Sequence, residues 1–291
     1  MKIIIIAILI IFVLCYWCRS NDNDTFEQFH ESSELSSELN GSFPRIIFQT
    51  WKSKTIIPEN MKKWSSTWKK FHPNYKYILW DDEDNRNFIK KFYPWFLPKY
   101  DSYDVMIKRA DAIRYFFLYH YGGIYVDMDF ECLKNLDELL KKNKESNVVL
   151  GKMSEKDHPN NIPNAIMISK PRHEFWLYVF KELLLQDSKG QTEQTTGPIL
   201  LKDSIKSYKN RQTGTDKDVI NIRKLLDSSK LSPISTSTKI TILDPVYFYP
   251  IDWTNESHQK KMRLPVLKGK KLDVKRMFPN SYAVTFWAHS W

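Results

Sequence analysis

Arg109-Ala110-Asp111-Ala112-Ile113-Arg114-Tyr115, continued by Tyr121-Gly122-Gly123-Ile124-Tyr125-Val126-Asp127-Met128-Asp129, decides how the chain is read. From Tyr103 to Tyr121 the residues Val105, Met106, Ala110, Ile113, Phe117 and Leu118 recur at helical spacing, which predicts one long amphipathic helix. Gly122-Gly123 stops it, because glycine takes the positive φ that a helix C-terminus commonly needs. Ile124 to Val126 then reads as a short strand that delivers Asp127 at its C-terminal end. In open α/β sheets ligands bind beyond the carboxyl ends of strands, so an acidic pair at that point marks a place for chemistry.

Working outward, Arg45 to Gln49 is a short apolar run suited to a buried strand. Glu59 to Phe71 puts Met61, Trp64, Trp68 and Phe71 at helical spacing. His72-Pro73-Asn74 breaks that helix, Tyr75 to Trp80 reads as a strand, and Asp81 or Asp82 caps a helix running to about Phe92. Downstream, Val148 to Gly151, Ala165 to Ser169, Ile240 to Leu243 and Tyr282 to Phe286 read as strands. Glu174 to Leu185 reads as a helix and Asn210 to Asp218 as an exposed loop. The alternation predicts an α/β fold, a Rossmann-like mixed sheet flanked by helices, in a single domain over residues 43–291.

Ile3 to Cys18 is an unbroken apolar run between Lys2 and Arg19 with no small-residue cleavage pattern behind it, so residues 1–19 read as a signal anchor, with a cleaved signal peptide as the alternative. Residues 20–42 mix Ser, Asn, Glu and Asp and describe a solvated stem. An anchor of this kind places the domain on a membrane, in a Golgi or endoplasmic-reticulum lumen or an equivalent glycan-assembly compartment. Cys132 is the one cysteine of the folded part, so no disulfide forms within it. The net charge of +10 is carried by lysines spread along the whole length rather than in a block, and no nucleic-acid partner is expected. A basic surface of this sort suits phosphorylated small molecules and anionic lipid alike.

Asp127 and Asp129 alternate at a strand end, where a bend turns both carboxylates toward one hard divalent cation that also takes diphosphate oxygens. A bare D-x-D is a weak signal, more often a turn than a metal site. Here Arg109, Asp111 and Arg114 lie on the helix just upstream, with Asp111 and Arg114 at i,i+3 on one face. On an exposed surface such a pair is only an ion pair worth a few tenths of a kcal/mol. Beside a metal-bound diphosphate the Arg would stabilise leaving-group charge and the Asp would hold sugar hydroxyls.

Pro44 to Trp51, Tyr77 to Asp81, Arg109 to Tyr115 and Tyr121 to Asp129 together resemble glycosyltransferase family 32. That family includes yeast-type initiating mannosyltransferases and inositol phosphoceramide mannosyltransferases, with a core similar to the large clostridial glucosylating toxins. The resemblance implies a GT-A fold, a nucleotide-sugar donor, a divalent metal such as Mn2+ with Mg2+ as the alternative, and retention of anomeric configuration. It implies that Trp51 stacks on the nucleotide base, that Arg109, Asp111 and Arg114 serve the donor, and that Tyr125 lines the donor pocket. Asp127 and Asp129 would bind ribose and metal, and His289 would stand in for the family's usual C-terminal diphosphate or metal contact. Thr195-Thr196-Gly197-Pro198 resembles the family's later Gly-Pro turn, near the acceptor.

The expected activity is therefore metal-dependent transfer of a hexosyl group from GDP-mannose or a UDP-hexose to a hydroxyl of a glycan, glycolipid or protein, with Asp127, Asp129 and Arg114 as the catalytic set. No second apolar span follows the domain, a departure from some ceramide-acting relatives that counts against a lipid acceptor. The competing readings are a non-catalytic lectin on the same fold and a D-x-D phosphatase. The phosphatase needs Thr or Val where Glu131 stands and needs the motif on the first strand of the domain.

Overall fold

The computed structural model describes residues 42–288 apart from 213 and 235–237. The N-terminal apolar run, the stem up to residue 41 and His289 lie outside the described residues. Phe43–Trp291 form one compact unit.

Strands β1 (Ile46–Thr50), β2 (Lys76–Trp80) and β3 (Gly123–Val126) follow the expected pattern, and β4 (Phe130–Cys132) comes directly after the acidic pair. Strands β5 (Val148–Gly151), β6 (Ile166–Ser169), β7 (Ile240–Leu243) and β8 (Ala283–Thr285) complete the set. Six of them form a sheet in the order β2-β1-β3-β6-β5-β7, while β4 and β8 pair as a separate two-stranded sheet. Pairings β1–β2, β1–β3 and β5–β7 are parallel, and β6 runs antiparallel to both β3 and β5. The sheet is thus mixed, as expected, and its reversal at β6 brings the loop before β6 up against the end of β3. The Asp127 N–H donates to Ala165 O at 2.8 Å there.

Local signals account for the first half. The Asp82–Phe92 helix begins at Asp81, whose carboxylate accepts from the Asp84 N–H while Asp84 returns the bond, a reciprocal cap that satisfies two orphan donors. The Glu59–Phe71 helix buries Met61, Trp64 and Trp68 on one face. Gly122 and Gly123 have φ of +66° and +88°, and a Cβ on Gly123 would sit 2.7 Å from Ile46 O. That position has no room for a side chain, and its emptiness lets β3 lie beside β1.

The central helix departs from expectation in kind. It spans Met106–His120, and every residue from Ala110 to His120 is buried. Val105 and Met106, expected on the apolar side, are 43% and 42% exposed. The reason is packing on both sides. Phe117 stacks on Phe48 of β1 at 4.9 Å, and Phe116 stacks on Phe180 of the Phe175–Leu185 helix at 4.2 Å. Full burial of such a ring is worth about 1.5–3 kcal/mol. Val105 and Met106 project beyond this sandwich at the helix's N-terminal end.

Helices at Leu97–Ser102 and Pro198–Lys209 each carry a proline in their first turn as the start signal. The stretch read as a loop ends earlier than expected, because Asp216 caps a helix over Lys217–Ser228. Cys132 is a free, buried thiol. No helix among the described residues is long and apolar enough to cross a membrane.

Candidate active site

A cavity of about 410 Å³ opens beyond the C-terminal ends of β1 and β3, lined by Trp51, Asp111, Arg114, Asp127, Asp129 and Trp287 among others. Trp51 follows β1, Asp127 follows β3, and Asp111 and Arg114 come from one face of the central helix.

Arg114 is the hub. Its Nη2 is 2.9 Å from Asp111 Oδ1 and its Nη1 is 3.2 Å from Asp127 Oδ1. Its Nη1 also donates to Asn164 O at 2.8 Å and its Nε to Ala110 O at 3.1 Å, while the guanidinium carbon lies 4.7 Å over the Tyr125 ring. This pair is buried, not the exposed ion pair that i,i+3 spacing usually gives: Arg114 is 2% and Asp111 6% exposed. A planar, permanently charged fork meets all these acceptors at once, which a lysine cannot do. Burial works against the charge on Arg114, but Asp127, Tyr125 and Asp111 outweigh it and raise its pKa.

Asp111 is held from the other side as well. Asn164 Nδ2 donates to its Oδ1 at 3.1 Å and Thr196 Oγ1 to its Oδ2 at 3.2 Å. The Tyr115 hydroxyl anchors this cluster by donating to Thr196 O at 2.7 Å. Burial pushes the Asp111 carboxyl up to about 6 despite Arg114.

Asp127 is half-buried and accepts from the Tyr125 hydroxyl at 2.8 Å. Its backbone carbonyl accepts from Gln49 Nε2 at 3.1 Å, and Gln49 is itself fixed by the Tyr77 hydroxyl at 2.6 Å. Burial raises the Asp127 pKa, with Arg114 opposing. Asp129 Oδ2 accepts the Ala288 N–H at 2.8 Å. Burial first, and the Asp127 charge second, push Asp129 up to about 6.

The structure thus brings together Trp51, Asp111, Arg114, Asp127 and Asp129. Trp51 is 2% exposed and donates its indole N–H to Ile56 O at 2.9 Å. Tyr125 does not reach the cavity wall and stands behind Asp127. Arg109 turns away, donating from Nη2 to Asp101 O at 3.0 Å and Tyr103 O at 3.5 Å. His289, expected at the metal, lies outside the described residues.

Asn164 and Trp287 escaped the sequence reading. Asn164 sits in the non-periodic loop before β6 and gives no local signal. Trp287, next to the noted C-terminal histidine, has a φ of +51° and an indole N–H on Ile251 O at 2.8 Å. Thr196 belongs to the Gly-Pro turn expected near the acceptor, and its hydroxyl is on Asp111.

Residues 58–146 match the profile of the glycosyltransferase sugar-binding region containing the DXD motif. A mannosyl phosphorylinositol ceramide synthase of Saccharomyces cerevisiae is 38% identical over 218 residues, covering 72% of this chain and 56% of that protein. An uncharacterised glycosyltransferase of Acanthamoeba polyphaga mimivirus is 34% identical over 194 residues, covering 65% of this chain and 73% of the relative. The solved PaToxG glycosyltransferase aligns over 77% of this chain and 91% of its own with a TM-score of 0.42 and 17% identity. The chain spans about half the length of the yeast ceramide synthases it matches. The sugar-binding profile falls across the helix, the double glycine and the acidic pair, and a relative is matched over most of its length, so this chain belongs to the DXD-containing glycosyltransferases of the family 32 type.

Proposed function

We propose that this chain transfers a hexosyl group from a nucleotide diphosphate sugar to a hydroxyl of a glycolipid or glycan, with retention of configuration. The observation that carries the reading is the convergence of Asp111, Arg114, Asp127 and Asp129 on one cavity at the strand ends. Three carboxylates share that cavity with a single guanidinium, leaving a formal excess of two negative charges when all are ionised. Burial resists that excess, which is why two of the acids are pushed up to about 6.

This charge balance fits a divalent cation. Among the described residues no group of three or more His, Cys, Asp or Glu side chains could hold a metal ion, so Asp127 and Asp129 would supply two ligands and leave the rest to diphosphate oxygens and water. A hard cation, Mn2+ before Mg2+, supplies neutralisation of the departing diphosphate when bound. The chain's own groups do the remaining work. Arg114 fixes Asp111 and Asp127 relative to one another and adds positive charge beside the leaving group. Asp111, oriented by Asn164 and Thr196, accepts hydrogen bonds from hydroxyls of the donor sugar. The Trp51 wall takes the nucleotide base. No enzyme carboxylate is assigned as nucleophile. The acceptor proton passes to the leaving phosphate oxygen as the new bond forms on the same face.

Relatives that bear the names inositol phosphoceramide mannosyltransferase and mannosyl phosphorylinositol ceramide synthase support mannose from GDP-mannose as the first donor to test and a phosphoinositol glycolipid as the first acceptor. They weigh against the departure that favoured a non-lipid acceptor. The N-terminal apolar run fits membrane anchorage in a glycan-assembly lumen. The test is release of nucleotide from a panel of nucleotide sugars with Mn2+. The reading requires metal-dependent release from one donor in preference to the others. A protein that binds sugar and releases no nucleotide would instead be the lectin.

A further inference from the structure

Lysines run through the whole sequence, but their excess over acids does not. Residues 260–276 hold eight Lys and Arg against one acid, Asp273, and so carry seven of the chain's ten net positive charges. This corrects the reading of the charge as evenly spread. Seven of those eight cations are exposed; the eighth, Arg263, is turned inward, with Nε donating to Trp287 O at 3.0 Å. Among the described residues, Lys260 is the one of the seven that pairs with an acid, Glu256.

The segment does not stand alone. Lys270 and Lys271 share a depression of about 600 Å³ with Lys62 and Lys63 of the Glu59–Phe71 helix. Lys70 of that helix and Lys275 both lie over the Phe71 ring, at 5.9 and 5.5 Å. Two elements far apart in sequence thereby present one cationic face. The acids in the depression are Glu59, 3.7 Å from Lys62, and the half-buried Glu131.

This depression is distinct from the catalytic cavity. Asp129, Thr285 and Trp287 line the cavity, whereas Glu131 and Phe286 line the depression. Thr285 and Trp287 face the cavity while Phe286 between them faces the depression, so the chain at the end of β8 separates the two openings.

We infer that this face, residues 256–277 with Lys62 and Lys63, docks the protein on an anionic phospholipid surface through the phosphate-bearing headgroups. Charge complementarity supplies the attraction. Interleaved aliphatics select the partner: Leu264 is 39% and Met277 42% exposed, and Val266 and Leu272 line the depression. Lysine stems lie along such apolar groups while their ammonium ends reach the headgroup layer. The segment 256–277 contains no Phe, Tyr or Trp, and the rings that line the depression, Trp64 and Phe286, are 4% and 1% exposed, so no large ring is offered for a nucleic-acid base to stack on. The docking does not rest on the catalytic reading and would hold for a lectin on the same fold.

The test uses the full chain in nanodiscs of phosphatidylcholine with or without phosphatidylserine, so that any contribution of the N-terminal run is common to both. The rate of amine labelling is read by mass spectrometry at Lys268, Lys270 and Lys271, with exposed Lys189 as the reference. Anionic discs should slow labelling of the three lysines by roughly fivefold or more relative to Lys189, an effect that fades at high salt. The double variant Lys270→Glu, Lys271→Glu should label at Lys268 equally fast in both discs while keeping its donor-hydrolysis rate. Equal labelling of the wild type in the two discs overturns the inference. So does equal protection in neutral detergent by inorganic phosphate, by polyglutamate or by RNA, which would reassign the face to a free anion, an acidic protein or a nucleic acid.

Discussion

Arg114 Nη1 lies 3.2 Å from Asp127 Oδ1, so the acid at the end of β3 is tied to the central helix by the same guanidinium that holds Asp111. Replacing Arg114 by Lys keeps one charge and loses the fork. Turnover should fall by roughly tenfold to a thousandfold. Stability should fall by about 1–3 kcal/mol, because buried acceptors lose their donors. Thermal unfolding and donor hydrolysis followed on the same protein check this. Unchanged melting would mean that the pair is not buried as described.

Asp129→Asn should abolish metal-dependent donor hydrolysis while the fold persists. An amide is a poor ligand for a hard cation, yet its oxygen can still accept the Ala288 N–H. Direct Mn2+ titration, read by paramagnetic resonance, should show the loss of affinity before any activity is measured. Wild-type affinity in the variant would remove Asp129 from the metal site.

The pH dependence follows from the same acid. Burial pushes Asp129 from the ordinary carboxylate range up to about 6, so the native state holds a proton that the unfolded chain has already released. The stability associated with that proton is fully present below the unfolded pKa and is lost as pH rises through the folded one. In chelator, the stability of the wild type relative to Asp129→Asn should therefore decline from about pH 4 to about pH 7, by on the order of 1 kcal/mol after allowance for partial exposure. Saturating Mn2+ should offset the decline. A difference that does not vary with pH would show that Asp129 is ionised at no cost.

Gly123→Ala should be among the most damaging single substitutions outside the cavity. The new Cβ would meet Ile46 O at 2.7 Å on a backbone with φ of +88°. A loss of about 3 kcal/mol or more is expected, with a parallel loss of activity as β3 shifts and carries Asp127 with it. Denaturant unfolding measures it, and a cost under 1 kcal/mol would show that β3 can move away from β1.

What the sequence made legible was local. The Asp81 cap, the double glycine and the i,i+3 placement of Asp111 and Arg114 each depend on neighbours a few residues away. What it hid depends on distance. The central helix read as amphipathic because its second cover, Phe180, lies some sixty residues beyond Phe116 and leaves no trace in the helix's own periodicity. Asn164 joined the site only because β6 runs antiparallel to β3 and carries the preceding loop to Asp127. The donor on Asp129 is a backbone N–H, which no residue type announces. Strand β4, of three residues, is too short to show alternation at all, and its pairing with the expected strand β8 joins residues more than 150 apart.

The pairing of β4 with β8 also fixes an order of events. Phe130 meets Thr285 across a loop of more than 150 residues, and closing a loop of that length carries a large entropic cost that only late, cooperative docking offsets. The acidic pair and its guanidinium can be in place as soon as the first three strands have folded. Asp129 then still lacks its Ala288 donor and the cavity its Trp287 wall. A nascent chain would therefore hold the acids before it holds an enclosed site, and the competence to retain a sugar nucleotide away from water would arrive in a single step with the docking of the last strand.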